Sequence, residues 1–120
     1  MTDAYERELV RGSLDLMVLS VLASQAKYGY LIQKDVRLAT GDKVPLPAGT
    51  LYPLLHRLEA QAWIRSRWDD TTGRRRKWYE ITALGKKQLH RQAVAWQSYA
   101  ACIQQLLETL PVPAAKPVSS

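Results

Sequence analysis

Apolar residues recur at helical spacing through the first half of the chain. From Leu9 to Ala23 they fall three or four positions apart, and extra apolar residues widen the stripe to much of the helix circumference. The spacing resumes from Tyr30 to Ala39, where Gly41 suits a C-cap, and again from Ala48 to Ala62. This pattern predicts three helices, and the first is apolar on so many sides that a second subunit could cover part of it.

Two segments between these helices interrupt the pattern. Lys27 to Tyr30 predicts a turn, because Gly29 gives its backbone freedom there. Lys43 to Pro47 contains two prolines, which cannot lie inside a helix. In the third helix Pro53 lacks the N–H that would bond to the Gly49 carbonyl, so an irregular first turn is expected.

The period then changes to the alternation that is typical of β-strands. It runs from Trp63 to Trp68 and again from Lys77 to Ile81, where the alternating aromatic and apolar residues indicate packing. Asp69 to Gly73, between the two runs, is a cluster of turn-forming residues. The stretch predicts a β-hairpin whose tip and returning strand carry the basic run from Arg74 to Lys77.

A long final helix is predicted from Ala83 to Leu110, with Thr82 as its N-cap and prolines as its stop. Its apolar residues alternate three and four positions apart over three heptads. A helix of about 27 residues is roughly 40 Å long, so contact with a second subunit is favoured over packing on its own small domain. The predicted dimer-interface residues are Leu14, Leu89, Ala93, Trp96, Ala100, Ile103 and Leu107.

The net charge of the 120-residue chain is +6, and its position is informative. Residues 57–91 contain ten basic and four acidic side chains, so the whole excess lies there, while the flanking segments are neutral. A clustered basic patch is typical of a polyanion-binding surface, and a solubilising surface is the plainer alternative. The uncharged runs are too short or too polar to span a membrane, and the acidic N-terminus differs from a signal peptide, so we expect a cytoplasmic protein of one domain.

Three helices followed by a basic hairpin predict a winged helix-turn-helix domain over residues 9–82, mainly α with a small β-hairpin. Residues 83–110 then form a dimerisation helix, and residues 111–120 a disordered tail. The third helix would enter the major groove of double-stranded DNA, and the hairpin would lie on phosphates or in the minor groove. The predicted DNA-binding residues are Thr50, Tyr52, Pro53, His56 and Arg57 on the helix, and Arg74, Arg75, Arg76 and Lys77 on the hairpin.

Alternatives remain at this point. Tyr52 could be a core aromatic residue, and His56 and Arg57 could be merely solvated. The sequence does not rank the hairpin cations by their contact with a groove. A winged-helix module that docks an acidic protein through its basic hairpin is the second candidate function.

An enzyme fits the sequence poorly. His56 and His90 lie on separate helices, and neither is near Cys102 in the sequence. No glycine-rich phosphate loop and no metal-ligand spacing is present, so no cofactor or metal is expected. The single cysteine, Cys102, is expected to be a small buried apolar residue rather than a sensor.

Three segments resemble the signatures of PadR-family transcriptional regulators, in the family's order. They are Tyr28 to Tyr30, Gly49 to Glu59 (GTLYPLLHRLE) and Arg75 to Gly85 (RRKWYEITALG). The resemblance spans about residues 9–110. It implies a homodimeric bacterial repressor, in which the C-terminal helix packs against the partner's helices and the two winged domains bind a two-fold operator.

The same resemblance implies a candidate ligand site. In several members of the family the dimer centre holds a cavity that accepts flat aromatic molecules, which implies that Trp96 contacts a small planar aromatic effector. The alternative is that Trp96 simply fills the interface core.

The chain departs from the family pattern at a few positions. Ala62 stands where the family has a glycine after the third helix, which argues against a left-handed cap there. Trp78 replaces a tyrosine, and Ala83 and Leu84 replace acidic residues, which removes a capping box.

Overall fold

Four helices and one three-stranded sheet make up residues 4–71 and 73–111, the part of the chain that the computed structural model describes, with side chains from residue 13 onward. Their order is α1 (Ala4–Leu22), β1 (Lys27–Tyr28), α2 (Gly29–Ala39), α3 (Ala48–Ala60), β2 (Ile64–Asp69), β3 (Arg76–Ile81) and α4 (Ala83–Glu108). The mainly α fold with a basic hairpin is therefore confirmed. The predicted tail after Pro111 lies outside the described residues.

The hydrophobic core lies between α1, α2, α3 and one face of the sheet. Leucines at helical spacing bury one side of α3, and Tyr79 is the largest fully buried side chain. The remaining core residues come from α1, α2, the loop after α2 and β2. Among the side chains that the structure describes, the buried core residues are Val18, Leu19, Leu22, Ile32, Val36, Val44, Leu46, Leu51, Leu54, Leu55, Leu58, Ile64 and Tyr79.

The predicted turn at Lys27 and Tyr28 is wrong, because these residues form β1. They pair antiparallel with Tyr79 and Trp78 of β3, so β3 lies between β1 and β2 in the sheet. Lys27 is buried, and its Nζ lies 2.7 Å from the carboxylate of Asp35 in α2. A strand of two residues has no alternation to detect, and long-range pairing alone creates it.

Gly41 ends α2 as predicted. Its φ of +59° lies in the left-handed region, which glycine adopts without a steric penalty. The Gly41 N–H donates to the Leu38 carbonyl, and the Asp42 N–H donates to the Arg37 carbonyl. This paired arrangement satisfies carbonyls that the helix end leaves without partners.

The expectation about Ala62 is wrong, because this alanine does form a left-handed cap. Its φ is +62°, and its N–H donates to the Glu59 carbonyl while the Trp63 N–H donates to the Leu58 carbonyl. The cap persists because the tight turn from α3 into β2 requires it. An alanine in this conformation carries a strain of about 1–2 kcal/mol that glycine would not.

Pro53 lies inside α3 without breaking the helix, which is continuous from Ala48 to Ala60. The irregularity in the first turn is limited to one shared acceptor, since the N–H groups of Thr50 and Leu51 both donate to the Pro47 carbonyl. Shared bonds of this kind are common at helix ends. Gly49, whose carbonyl loses its helical partner, lies at the surface, where water can satisfy it.

Thr82 caps α4 as predicted and also joins it to the turn after α3. Its hydroxyl accepts from the Gly85 N–H at 2.9 Å and donates to the Ala62 carbonyl at 2.7 Å. Its own N–H donates to the Trp63 carbonyl. Gly85 packs so closely here that a Cβ built on it would lie 1.9 Å from the Trp63 carbonyl oxygen. Only glycine fits this contact.

The second half of α4 extends away from the domain. Every residue from 94 to 110 is exposed, whereas Leu89 packs partly against the core. The molecule accordingly measures 57 Å along its long axis and 29 and 25 Å across. Within the described residues, no helix combines the length and the apolar composition needed to cross a membrane.

The strain at Ala62 predicts that Ala62→Gly stabilises the protein. We expect the free energy of unfolding to rise by about 1 kcal/mol, because glycine removes the left-handed penalty. Urea denaturation at fixed protein concentration measures the change. The matched control is Ala101→Gly on an exposed turn of α4, which should cost about 1 kcal/mol. Destabilisation by both substitutions would contradict the assigned cap.

The close approach at Gly85 predicts that Gly85→Ala is strongly destabilising. The new methyl group would meet the backbone of Trp63, which cannot rotate away as a side chain can, so we expect a loss of about 2–3 kcal/mol. Thermal and urea unfolding measure the loss. In the control Gly49→Ala, a Cβ meets nothing within 4 Å, so this variant should be unchanged or more stable.

Candidate nucleic-acid interface

One side of α3 is buried and the other is open to solvent. Leu51, Leu54, Leu55 and Leu58 fix the helix in the core. The predicted DNA-binding residues of this helix, Thr50, Tyr52, Pro53, His56 and Arg57, are all exposed. The structure therefore places all five on the surface of one helix, in positions from which side chains could reach into a groove.

Tyr52 is partly packed against the domain and partly exposed. The Tyr52 ring packs against Gly29, the first residue of α2. Its hydroxyl oxygen lies 2.3 Å from the position that a Cβ on Gly29 would take. The side chain nevertheless keeps 40% of its surface exposed. Gly29 is thus the residue that lets Tyr52 lie across the start of α2 while its ring edge remains available.

Arg57 and Glu59 are already engaged within the chain. The Arg57 guanidinium donates to the Asp15 carboxylate at 2.5 Å, which ties α3 to α1. The Glu59 carboxylate accepts from the hydroxyl of Ser66 in β2. Both pairs lie at least partly in solvent, so Arg57 can exchange its partner for a phosphate at small cost.

The two strands and the turn of the hairpin, residues 64–81, form the wing, and both arginines of β2 are paired with carboxylates. Arg65 on β2 donates to Glu80 on β3 directly opposite. Arg67 lies 3.7 Å from Asp69. The Thr71 backbone N–H, which donates to Asp69, lowers the pKa of that carboxyl below its ordinary value, with smaller contributions from the Thr71 hydroxyl and from Arg67.

The cations nearer the tip have aromatic partners instead of carboxylates. The guanidinium carbon of Arg75 lies 4.5 Å from the centre of the Trp68 ring, and that of Arg76 lies 4.3 Å from the centre of the Tyr28 ring. Lys77 Nζ lies 5.9 Å from the Trp68 ring. These contacts keep the full positive charge on the wing, since an aromatic ring stabilises a cation without neutralising it.

Tyr79 lies where the wing meets α3. Burial raises the pKa of the Tyr79 phenol above its ordinary value, and the nearby Tyr52 and Glu59 raise it further. The phenol therefore remains neutral at physiological pH. It contributes a packing surface beneath the cationic face.

A cleft of about 760 Å³ separates α3 from the wing. Both aromatic rings and cations line it: Tyr28, Tyr52, His56, Trp68, Arg75 and Arg76 are among its lining residues. The structure thus brings Tyr52 and His56 of α3 to the same surface as the wing cations. Sequence reasoning missed Tyr28 and Trp68, because only the strand register places them beside the wing cations.

The predicted dimer residues lie along α4 and on the facing side of α1. Leu14 and Leu89 pack partly against this chain's own core, whereas Trp96, Ile103 and Leu107 are exposed. The exposed apolar surface is wider than the predicted stripe. It also includes Val94, Tyr99 and Leu106.

Trp96 borders a small apolar groove of about 280 Å³. Its lining is mostly apolar, from Leu16, Met17 and Val21 of α1, Val36 and Ala39 of α2, and the Trp96 ring. The polar residues Ser13, Ser20 and Thr40 complete it. Trp96 itself is 44% exposed, so one chain leaves the ring half uncovered.

The residues considered for other chemistry are not brought together. Across the described residues, no group of three or more His, Cys, Asp and Glu side chains is placed to hold a metal ion. Cys102 is exposed in the single chain, which corrects the expectation that it is buried. Cysteines are usually buried, but the half of α4 that carries Cys102 extends away from the domain.

Three helices, a cationic hairpin and the continuous surface between them define a winged helix-turn-helix protein. The model of the transcriptional regulator PadR-like family matches residues 18–91. The chain therefore belongs to the PadR-like family and is a DNA-binding transcriptional regulator, not an enzyme.

Solved structures are similar over most of the chain. A PadR family transcriptional regulator from Eggerthella lenta is 38% identical, with 86% of this chain and 88% of that chain covered and a TM-score of 0.75. A transcriptional regulator from Clostridium thermocellum is 32% identical, with 82% and 96% covered and a TM-score of 0.75. A protein of Lysinibacillus sphaericus, described only as uncharacterized protein X, is 31% identical over 104 residues, which are 86% of this chain and 95% of that protein.

Proposed function

We propose that the protein is a homodimeric repressor that acts in the cytoplasm and binds a two-fold DNA operator. Each α3 enters a major groove, and each wing lies on the backbone or in the minor groove beside it. The observation that carries the proposal is the surface that Tyr52 and His56 of α3 share with the wing cations. A polyanion with grooves fits such a surface, because it needs both phosphate contacts and side chains that reach base edges.

The charge distribution supports DNA over a solubilising role. The two arginines of β2, Arg65 and Arg67, are paired with carboxylates, whereas the run from Arg74 to Lys77 is paired with none among the described residues. A purely solubilising surface has no need of this separation. The uncompensated charge instead faces the same cleft as Tyr52 and His56.

The exposed apolar half of α4 supports the dimer. Side chains such as Leu106, with 66% of its surface exposed, are costly to leave in water over such a length of helix. A second copy of α4, related by a two-fold axis, covers the same residues on both chains at once. The dimer also supplies two α3 helices to face two half-sites.

The groove at Trp96 supports a ligand-released repressor. A small planar aromatic effector would stack on the half-exposed ring and lie against the apolar walls from α1 and α2. If it binds one arrangement of the two chains better than the other, it changes the separation of the α3 helices and lowers the affinity for DNA. Filling of the groove by the partner chain alone is the competing outcome.

Duplex DNA selected from a random pool tests the DNA-binding proposal. Log affinity should fall linearly and steeply with log salt concentration, because the wing cations release counterions from the phosphates. The triple variant Arg74→Ala, Arg75→Ala, Arg76→Ala should weaken binding and reduce the magnitude of this slope by about two to three. Fluorescence anisotropy over a salt series gives both quantities.

The matched control removes three exposed cations from α4 instead: Lys86→Ala, Lys87→Ala, Arg91→Ala. The net charge is the same in both triple variants, so only position distinguishes them, and the control should keep a slope near that of the parent. Scattering should give a molecular mass twice the 13.6 kDa of one chain. In the selected duplexes, the centres of the two half-sites should lie about 34 Å apart. Absence of DNA binding at low salt would contradict the proposal and favour an acidic protein partner.

Titration with planar aromatic compounds tests the effector site. A naphthalene or acridine compound that binds at Trp96 should quench tryptophan fluorescence and weaken DNA binding in the parent protein. Trp96→Ala should remove most of the quenching and the effect on DNA. Trp68→Ala, which deletes a tryptophan of similar exposure on the wing, should keep the ligand-dependent quenching. Equal quenching in the parent and in Trp96→Ala would exclude Trp96 from the site.

A further inference from the structure

The four consecutive cations of the wing have different surroundings. Arg75 lies over Trp68, Arg76 lies over Tyr28, and Lys77 lies between the rings of Trp68 and Tyr79. The remaining cation, Arg74, makes no hydrogen bond, ion pair or ring stack with any residue that the structure describes, and it is exposed. Three of the four cations therefore have an aromatic ring beside them, and Arg74 has none.

The ring contacts of Arg75 and Arg76 leave both guanidinium groups able to bind phosphate. An aromatic ring covers one flat face of the guanidinium but leaves its N–H donors free around the edge, in the fork that matches phosphate oxygens. The contact also holds a long side chain in one direction, so less entropy is lost on binding. Because the two rings lie at fixed positions on β1 and β2, the two guanidinium groups are held at a fixed spacing.

The same stacking makes these two arginines unsuitable for the minor groove. The guanidinium carbon of Arg75 lies 4.5 Å from the centre of the Trp68 ring. Once the thickness of both groups is added to this distance, the pair is wider than the minor groove, which measures about 6 Å. An arginine that enters must therefore leave its ring. Arg74 has no such contact to break.

The position of Arg74 favours the same role. It directly follows Gly73, whose φ of +82° turns the chain at the tip, and it precedes the start of β3 by two residues. It is thus the first cation after the turn and borders the cleft that faces α3. A narrow minor groove concentrates negative potential, which attracts a single extended arginine.

We infer that Arg74 is the wing side chain that enters the minor groove, while Arg75 and Arg76 hold the flanking phosphates from their positions on Trp68 and Tyr28. Trp68 is then a positioning residue for DNA binding. The Trp68 side chain is 56% exposed, because a ring that supports a surface cation cannot also lie in the core. The inference rests on the proposed DNA-binding function and assigns to the operator a preference for A·T pairs beneath each wing.

The experiment uses a duplex selected from the random pool, with the wing-protected flank located by hydroxyl-radical footprinting. Three versions of that flank carry A·T, G·C or inosine·C pairs. Inosine lacks the guanine amino group, so inosine·C resembles A·T in the minor groove and G·C in the major groove. The parent protein should bind the A·T and inosine·C flanks roughly tenfold more tightly than the G·C flank.

Three variants separate the roles. Arg74→Ala should bind all three flanks about equally, with little change on G·C. Arg75→Ala and Trp68→Ala should each lose about tenfold on every flank while keeping the preference, and combining them should add little, because both remove one phosphate contact. All three positions are exposed, so circular dichroism should show unchanged folds.

The outcomes distinguish this inference from the function on which it rests. Failure of the parent protein to bind the selected duplex would contradict DNA binding itself. Tight binding without a preference for inosine·C over G·C would overturn the minor-groove role of Arg74 alone. So would retention of the preference in Arg74→Ala, or its loss in Arg75→Ala.

Discussion

The contact between Gly85 and the backbone of Trp63 is the constraint on which the rest of the structure depends. It brings the first turn of α4 onto the turn between α3 and β2, where Thr82 adds bonds to the Ala62 and Trp63 carbonyls. Three elements are fixed by this one junction: the end of α3, the base of the wing and the direction of α4. The junction therefore fixes the orientation of α3 and the wing relative to the start of α4.

In the proposed ligand-released repressor, a change at the exposed half of α4 would pass to α3 and the wing through this junction. The charges of the wing differ in the partners that they have. Carboxylates pair with the arginines of β2, and aromatic rings support the cations of the turn and β3, so the positive charge without a carboxylate partner lies on the turn and β3.

Much of the fold was predictable because local pattern and final structure agree. The leucine stripe of α3, the alternation of β2 and β3 and the Thr82 cap are each determined by residues close in sequence. Where the deciding partner is distant, prediction failed. β1 exists only because β3 lies beside it, and Ala62 takes a glycine-like conformation because the turn into β2 demands it. Cys102 lies outside because α4 leaves the domain.

The sequence by itself determined the class of the protein and predicted most of the side chains that we propose to contact DNA. Helical and strand periodicity, the position of the net charge and the three PadR-like segments depend only on residue order. The tertiary structure alone decided how equivalent-looking cations differ. Four basic residues in a row are alike in sequence, but sheet pairing brings Tyr28 and Trp68 beside Arg76 and Arg75 and leaves Arg74 without a ring. The reason is physical: a stacking partner is defined by proximity in space, which strand register sets.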